Sequence, residues 1–225
     1  MQMRFQRVLM MSAAVGLCVI AHSARADSLD VLMRTCAPNV HPVTLGAIVR
    51  TESRGHAYVL SDDGPNGLPW SERKKMLRSF YPDSVEEAET IATKLIAANH
   101  RVGIGLAQVN SSNLASLGLT VRTALDPCTN LRAGAQILTA NYRAALKRFS
   151  DEQDALLAAI SAYNTGDFSN GFTNGYVGRV VDATGFAVPA LRTSTVPRTT
   201  RRLAAGTGNI LLSKKIAVLR ATIEE

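Results

Sequence analysis

The segment HPVTLGAIVRTESRG, residues 41–55, carries the start and stop signals of a helix and one residue that does not suit its apolar face. Proline fits the first helical turn, where its missing N–H would be unpaired in any case, and the closing glycine favours termination. Leu45, Ile48 and Val49 recur at helical spacing, which predicts a face packed against a core. Glu52 continues that spacing, so it lies on the same face.

Glu52 is therefore expected to titrate unusually. Apolar neighbours and the negative end of the helix dipole both disfavour a carboxylate, so both raise the pKa of Glu52. A carboxyl group that stays protonated near neutral pH is what a general acid requires. The pattern alone leaves a second interpretation open, in which Glu52 reaches solvent or pairs with Arg50 or Arg54.

Helical patterns dominate the rest of the chain, and strand signals are sparse. The segment 57–69 contains the turn-forming pairs Asp63-Gly64 and Asn66-Gly67, which predict a β-hairpin or an irregular lobe. Further helices are predicted at residues 28–34, 130–149 and 176–184, at residues 88–99 after a capping box at 84–87, and after a second capping box at residues 150–153. The predicted fold class is mainly α, with a small irregular or hairpin lobe.

The N-terminus has the pattern of a secretory signal peptide over residues 1–26. Arg4 and Arg7 precede the apolar run Val8–Ala21, and Ala24-Arg25-Ala26 supplies a cleavage pattern. A buried N-terminal helix is disfavoured because nothing polar marks a second face. The chain is therefore expected to be exported. No later stretch approaches the roughly 20 apolar residues of a membrane-spanning helix, so no transmembrane span is expected after signal cleavage.

Signal cleavage would leave two of the three cysteines. Cys18 lies inside the signal, and Leu17 stands where a lipoprotein signal has a small residue, so a lipid anchor is not expected. In an oxidising compartment, Cys36 and Cys128 are expected to form one disulfide. It would close a loop of about 90 residues, worth roughly 4–5 kcal/mol in the chain-entropy model. Two buried free thiols are the alternative.

Positive charge is concentrated at the C-terminal end. Residues 27–186 carry 15 basic and 16 acidic side chains, whereas residues 187–225 carry seven basic and two acidic ones. We expect a flexible basic tail over 187–225, with an amphipathic helical pattern at 212–223. Nucleic-acid binding is not expected, because the body carries no excess positive charge. No metal and no cofactor is predicted, because metal-ligand spacing and a complete nucleotide motif are both lacking.

Two further segments carry residues suited to binding a sugar. GIGLAQVN (103–110) is a glycine-rich approach to two amides, and AISAYNTG (159–166) ends an apolar helix with a tyrosine and an amide. Amides and tyrosine hydroxyls both donate and accept hydrogen bonds, and an aromatic face stacks on the apolar side of a sugar ring. The polar side chains that the two segments supply are Gln108, Asn110, Tyr163 and Asn164.

Taken in chain order, the end of the segment 41–55 and these two segments resemble the three motifs of the lytic transglycosylase family with the goose-type lysozyme fold. The matching residues are Glu52-Ser53, Gly105-Leu106-Ala107-Gln108 and Ala162-Tyr163-Asn164-Thr165-Gly166. Tyr176 before a Val-rich helix is also similar to the family. The run DPCTNLRAG, residues 126–134, resembles in particular the transglycosylases of type IV secretion and conjugation systems.

The resemblance implies a lysozyme-like catalytic domain over residues 27–186 that acts in the periplasm. Its substrate would be the glycan strand of peptidoglycan, cut between N-acetylmuramic acid and N-acetylglucosamine. A 1,6-anhydromuramic acid end would form without water as the nucleophile. The local opening of the cell wall would serve assembly of a secretion or conjugation apparatus, so components of that machinery are the expected protein partners.

The resemblance also implies a role for each site residue. Glu52 would act first as acid and then as base, so one carboxyl group would be enough for the reaction. Ser53 would hold Glu52 or the substrate's N-acetyl group, and Tyr176 would hydrogen-bond Glu52. The saccharide groove would be lined by Gln108, Asn110, Tyr163 and Asn164.

Two other functions remain open at this point. A lysozyme that adds water needs a second carboxylate, about 6.5–9.5 Å from the acid in an inverting enzyme, and Asp62 and Asp63 are the nearby candidates. A glycan-binding assembly factor would hold the strand without cutting it, and could lose Glu52 without penalty. The tail segment 204–225 could dock a secretion partner or an acidic surface, or could simply be solvated.

Overall fold

The computed structural model describes residues 29–184, and these form helices around a small sheet. The helices in chain order are α1 (residues 29–36), α2 (Pro42–Ser53), α3 (Trp70–Arg73), α4 (Val85–Ala97), α5 (Leu114–Leu117), α6 (Val121–Ala124), α7 (Pro127–Ala145), α8 (Glu152–Thr165), α9 (Asn170–Thr173) and α10 (Tyr176–Thr184). The strands are β1 (Leu60–Pro65), β2 (Arg78–Phe80), β3 (His100–Ile104) and β4 (Val109–Asn110), and a 3₁₀ turn follows at Ser111–Asn113. The predicted signal peptide and basic tail lie outside the described residues.

The mainly α fold with a small lobe is confirmed, and the lobe is a four-stranded antiparallel sheet in the order β2-β1-β3-β4. Residues 57–69, predicted as a hairpin or an irregular lobe, supply only strand β1 and so form no hairpin by themselves. β1 is a central strand that pairs with β2 on one side and with β3 on the other. The pairs Asp63-Gly64 and Asn66-Gly67 therefore do not form the turn of a hairpin in which β1 pairs with another part of residues 57–69. Its partners lie at residues 78–80 and 100–104, a pairing that no local pattern specifies.

Side-chain caps set the helix starts and correct two predicted ones. α7 begins at Pro127 rather than at residue 130, because the Asp126 carboxylate accepts a hydrogen bond from the Thr129 N–H and proline occupies the first turn. α8 is capped by Asp151, not by Ser150, since the Asp151 carboxylate accepts from two backbone N–H groups of the first turn. The cap predicted at Ser84 is present.

Two hydrophobic cores meet beside α7. One is helical and joins α2, α7, α8 and α10, and the other lies between the sheet, α4 and α6. The predicted disulfide is present, joining Cys36 of α1 to Cys128 of α7 across 92 residues of sequence. None of the described helices is long and apolar enough to cross a membrane.

Candidate active site

Glu52 lies in the last turn of α2, where the chain leaves the helix abruptly. Arg54 adopts a left-handed conformation (φ 54°), and its N–H donates to the carbonyl of Arg50. The Ser53 hydroxyl donates to the Val49 carbonyl and accepts from the Gly55 N–H. Ser53 is buried, so it fixes the end of the helix, which differs from the contact with Glu52 or substrate that the resemblance implied.

The surroundings of Glu52 raise its pKa to about 7. Burial is the largest cause, and the negative charge of Asp63 acts in the same direction. A hydrogen bond from Tyr176 and the positive charge of Arg179 act in the opposite direction. Glu52 can therefore hold a proton at neutral pH and can also release it, which the two steps of acid and base catalysis require.

Two tyrosines form the wall behind this carboxyl group. The Tyr176 hydroxyl donates a short hydrogen bond to Glu52 Oε1, and the Tyr176 side chain is almost completely buried at the start of α10. The Tyr163 hydroxyl donates to the carbonyl of Ala107 at 2.6 Å. Burial and the nearby Glu52 charge raise the pKa of both phenols, so both stay protonated donors.

The turn between β3 and β4 brings Gln108 to the site. Gln108 has a positive φ of 47°, and its Nε2 donates to the carbonyls of Val59 (3.0 Å) and Gly105 (2.8 Å). Its Oε1 lies close above Gly103, where a Cβ would come within 2.7 Å of it. Gln108 therefore braces the turn with its amide nitrogen and leaves its carbonyl oxygen as the group that can meet a substrate.

The two asparagines of the predicted site are bonded to loop neighbours. Asn110 accepts from the Ser112 N–H through Oδ1, and its Nδ2 lies 3.5 Å from an Asp63 oxygen. Asn164 is exposed at the end of α8 and accepts from Asn174 Nδ2 at 3.0 Å. Asn110 thus connects to the Glu52 surroundings through Asp63, whereas Asn164 connects to the loop that precedes Tyr176.

The two neighbouring aspartates of β1 have different surroundings. Asp62 is fully buried and accepts from Arg78, from the Gly64 N–H and from His100 Nδ1. Burial alone would raise the pKa of Asp62, but these hydrogen bonds outweigh it and hold the pKa below its usual value. Asp62 is therefore a structural carboxylate that ties β1 to β2 and β3.

Asp63 points to the other side of β1 and is only half-buried. Burial raises its pKa above the usual value, against a hydrogen bond from Ser61 and the charge of Arg73. Because its charge acts on Glu52, Asp63 belongs to the site's electrostatics. Of the two aspartates weighed from the sequence, only Asp63 can take part in chemistry at Glu52.

Asn130 is a site-forming residue that the sequence did not single out. It lies in α7, its side chain is buried, and Nδ2 donates to the carbonyls of Ile104 (2.8 Å) and Ala124 (2.7 Å). Its Oδ1 accepts from the Ala107 N–H at 2.7 Å. The sequence did contain a sign of its importance, because Asn130 lies within the family-like run DPCTNLRAG, residues 126–134. The resemblance, however, assigned no role to Asn130.

Gly134, one turn further along α7, has a similar function. A Cβ there would come within 2.6 Å of the Ala107 Cβ and 2.9 Å of the Tyr163 hydroxyl. The Ala107 side chain therefore packs on α7, and is fully buried, instead of forming a wall of the groove. Glycine at this position lets the helix approach the turn and the tyrosine closely.

Several known proteins are similar in sequence to this chain. The chain is similar to protein virB1 of Agrobacterium fabrum (strain C58), with 40% identity over 158 residues, which cover 70% of this chain and 60% of that protein. A virB1 protein of Rhizobium radiobacter is 38% identical over 173 residues, covering 76% and 67% of the two chains. Type IV secretion system protein virB1 of Brucella abortus biovar 1 (strain 9-941) is 40% identical over 143 residues, covering 63% and 56%.

This chain spans about three fifths of the length of the curated relatives it matches. No solved structure gives a significant match. A family model described as the transglycosylase SLT domain matches residues 31–184, which hold every site residue described above. With more than half of its length matched, the chain belongs to the transglycosylase SLT domain family.

Proposed function

We propose that this protein is a peptidoglycan lytic transglycosylase that leaves 1,6-anhydromuramic acid ends. The observation that carries the proposal is the carboxyl group of Glu52 in the last turn of α2, which is hydrogen-bonded by Tyr176 and has a pKa raised to about 7. Such a group can donate a proton and later accept one at the same pH. Membership of the transglycosylase SLT domain family supports the same chemistry.

The proposed reaction uses Glu52 twice. Protonated Glu52 gives its proton to the glycosidic oxygen as the bond from that oxygen to the muramoyl C1 breaks, and the N-acetylglucosamine part leaves as an alcohol. The substrate's own N-acetyl carbonyl stabilises the positive charge that develops at C1. Glu52, now a carboxylate, takes the proton of the muramoyl 6-hydroxyl while that oxygen bonds to C1. The ring closes and Glu52 is protonated again.

The remaining residues support these two steps by binding and orientation. Tyr176 holds one oxygen of Glu52, so the other oxygen faces the substrate. The Gln108 carbonyl oxygen and the exposed Asn164 are placed to hydrogen-bond the strand, while Tyr163 stays fixed to the turn through Ala107. Asn110 positions Asp63 at the edge of the site. Ser53 acts indirectly, by ending α2 at Glu52.

The biological setting that we propose is the periplasmic cell wall during assembly of a type IV secretion or conjugation apparatus. Its support is the name of the Brucella relative, a type IV secretion system protein, and the export signal expected over residues 1–26. Local cutting of the glycan would open a passage for the apparatus. The expected partners are glycan strands and components of that machinery.

Mass spectrometry of digestion products tests the reaction directly. Residues 27–225 are incubated with purified peptidoglycan, beside Glu52→Gln and the matched control Glu152→Gln, an exposed acid in the first turn of α8. We expect anhydromuramic acid ends, one water lighter than reducing ends, from the wild type and the control but not from Glu52→Gln. Products that are equally abundant with Glu52→Gln would contradict the proposal.

A water-adding lysozyme is the second candidate, and the half-buried Asp63 beside Glu52 is the observation that favours it. Asp63→Asn separates the two reactions. If Asp63 activates a water, reducing ends appear with the wild type, and activity falls by a factor of about 10³ or more in the variant. A transglycosylase keeps making anhydro ends. A glycan-binding assembly factor would give no products from any variant.

A further inference from the structure

Residues 66–81, which lead from β1 through α3 and β2, form a surface that the proposed reaction does not use; we call it the Trp70 lobe. It holds most of the large exposed apolar side chains of the described residues. Trp70 is 57% exposed and Tyr81 is 62% exposed. Leu68, Met76 and Leu77 are exposed as well. Exposed apolar side chains gathered in one segment mark an interaction surface more often than scattered ones do.

Two contacts fasten the Trp70 lobe to segments that lie near Glu52. In the middle of the lobe, Arg73 Nη1 donates to the carbonyl of Asp63, whose charge acts on Glu52, at 3.1 Å, and the Arg73 side chain lies against Gly64 of β1. At the C-terminal end of the lobe, the Tyr81 ring makes a T-shaped contact with the ring of His56, with 5.6 Å between the ring centroids. His56 follows Glu52 by four residues in the sequence. A strand held at Glu52 can therefore extend its substituents onto the lobe.

The exposed charges of the Trp70 lobe are mainly positive. Its sequence carries four basic residues and one acidic residue. Two of the basic side chains are engaged, Arg78 with Asp62 and Arg73 with the carbonyls of Leu68 and Asp63. Lys74 and Lys75 are exposed, and within residues 29–184 neither forms an ion pair. Apolar side chains beside free cations suit a ligand that carries alkyl groups and carboxylates.

We propose that the Trp70 lobe binds the peptide stems of peptidoglycan, and so directs cutting to strands that carry them. The inference rests on the proposed function, because those stems branch from the muramoyl residue whose bond is cut. They present methyl and methylene groups together with free carboxylates, which match the apolar and cationic side chains of the lobe. The stem lies on the lobe while the sugar lies in the groove beside Glu52.

The single tryptophan of the chain gives a direct readout. Trp70 is the only tryptophan in the sequence, so intrinsic tryptophan fluorescence reports on the lobe alone. We would titrate Glu52→Gln, which blocks turnover, with a disaccharide tetrapeptide muropeptide and with the same disaccharide without peptide. The charge test is Lys74→Glu with Lys75→Glu in that background. Its matched control reverses Arg143, exposed in the last turn of α7, and Lys147, exposed in the turn that follows α7.

The expected result is a change in Trp70 emission with the muropeptide and not with the bare disaccharide. Reversal of the two lobe lysines should weaken the muropeptide response about three- to tenfold, as expected for two exposed charge contacts, and the α7 control should leave it unchanged. Equal responses to both sugars would overturn the proposal, because the lobe would then contact glycan. An emission that is already that of a covered tryptophan, and that no ligand changes, would also overturn it.

Vesicles with anionic lipid are a third arm, because the same side chains could meet a membrane surface. A Trp70 response to those vesicles without a response to the muropeptide would overturn the proposal in favour of a membrane. The digestion assay keeps the two proposals apart. If the wild type cuts peptidoglycan while Trp70 does not respond to the muropeptide, this inference fails and the proposed function stands. If Trp70 responds while the wild type yields no products, the proposed function fails.

Discussion

Glu52 shows how one side chain is tuned by opposing neighbours. Burial and the charge of Asp63 favour its protonated form, while Tyr176 and Arg179 favour its carboxylate. Neither the two influences that raise the pKa nor the two that lower it would by themselves suit a residue that must give a proton and then take one. With burial alone the carboxyl would release its proton too reluctantly, and with Tyr176 and Arg179 alone it would be a carboxylate before substrate arrived.

Removal of the Tyr176 hydroxyl should change both the rate and its pH dependence. Tyr176→Phe deletes a hydrogen bond to the carboxylate, so the pKa of Glu52 rises and the alkaline limb of kcat/KM moves to higher pH. We expect kcat to fall roughly tenfold, since a hydrogen bond to a charged group contributes about 1.5 kcal/mol. Tyr142→Phe is the control, because the buried Tyr142 hydroxyl has no hydrogen-bond partner among the described residues. An alkaline limb that stays in place would show that Tyr176 does not act on Glu52.

Glu52 should also make stability depend on pH. Its pKa is about 7 in the folded protein and 4.5 in the unfolded chain. Between these two pH values the folded protein therefore binds a proton that the unfolded chain releases. The free energy of unfolding therefore falls as pH rises from 4.5 to 7, by about 3 kcal/mol in all. Glu52→Gln removes this loss, and should melt higher than the wild type at pH 8 and equally at pH 4. A melting-temperature gap that is the same at both pH values would be inconsistent with the raised pKa.

At the scale of elements, α7 is the support on which the site is assembled. Asn130 holds the β3–β4 turn and the end of α6 through three hydrogen bonds, and Gly134 lets Ala107 and Tyr163 pack directly on the helix. The helix α7 thereby positions both the turn that carries Gln108 and Tyr163, whose hydroxyl donates to the carbonyl of Ala107 in that turn. The groove beside Glu52 is rigid on that side because its backbone groups are bonded to a buried side chain.

Loss of the Asn130 side chain should therefore loosen the turn as well as the fold. Asn130→Ala leaves two carbonyls and one N–H without a buried partner, which costs about 2–4 kcal/mol of unfolding free energy. Thr129→Ala, on the same turn of α7, should cost less than about 0.5 kcal/mol. Chemical denaturation of both variants measures the difference. Equal stability of the two would mean that solvent or repacking replaces the Asn130 contacts.

At the scale of the whole molecule, the site lies where two hydrophobic cores meet. Glu52 and Tyr176 come from helices of the first core, whereas Asp63 comes from strand β1 and Gln108 from the β3–β4 turn on the side of the second core. The disulfide lies within the helical side of this arrangement, where it fastens α1 to the start of α7. It stabilises the frame of the site and supplies no group to it.

The disulfide should accordingly affect stability much more than chemistry. Changing Cys36 and Cys128 to serine removes a cross-link that closes a 92-residue separation, and should lower the unfolding free energy by about 2–5 kcal/mol. Below the melting temperature kcat should be nearly unchanged. Reductant should lower the melting temperature of the wild type to that of the double variant and should not affect the variant. A wild type that is insensitive to reductant would contradict this expectation.

Local patterns in the sequence were sufficient for most of the longer helices and for the place of Glu52 on one of them. The apolar spacing of Leu45, Ile48 and Val49 and the stop signals at residue 55 placed Glu52 at the end of a buried face, and α2 has that form. The capping box at Ser84 gave the start of α4 correctly, and the one at Ser150 missed the start of α8 by one residue. Apolar spacing placed the start of α7 three residues late. These features are determined by neighbours along the chain, so the sequence alone contains them.

The sheet and the bracing of the site were decided only by the tertiary structure. β1 pairs with strands that begin 18 and 40 residues after its own first residue, and the sequence does not mark those partners locally. Asp62 and Asp63 are adjacent and chemically identical, yet the alternation of β1 buries one in an ion pair and turns the other toward Glu52. The position of Glu52 on a buried helix face follows from one helix, whereas its pKa, its hydrogen bond from Tyr176 and the supporting turn depend on segments that meet only in the folded chain.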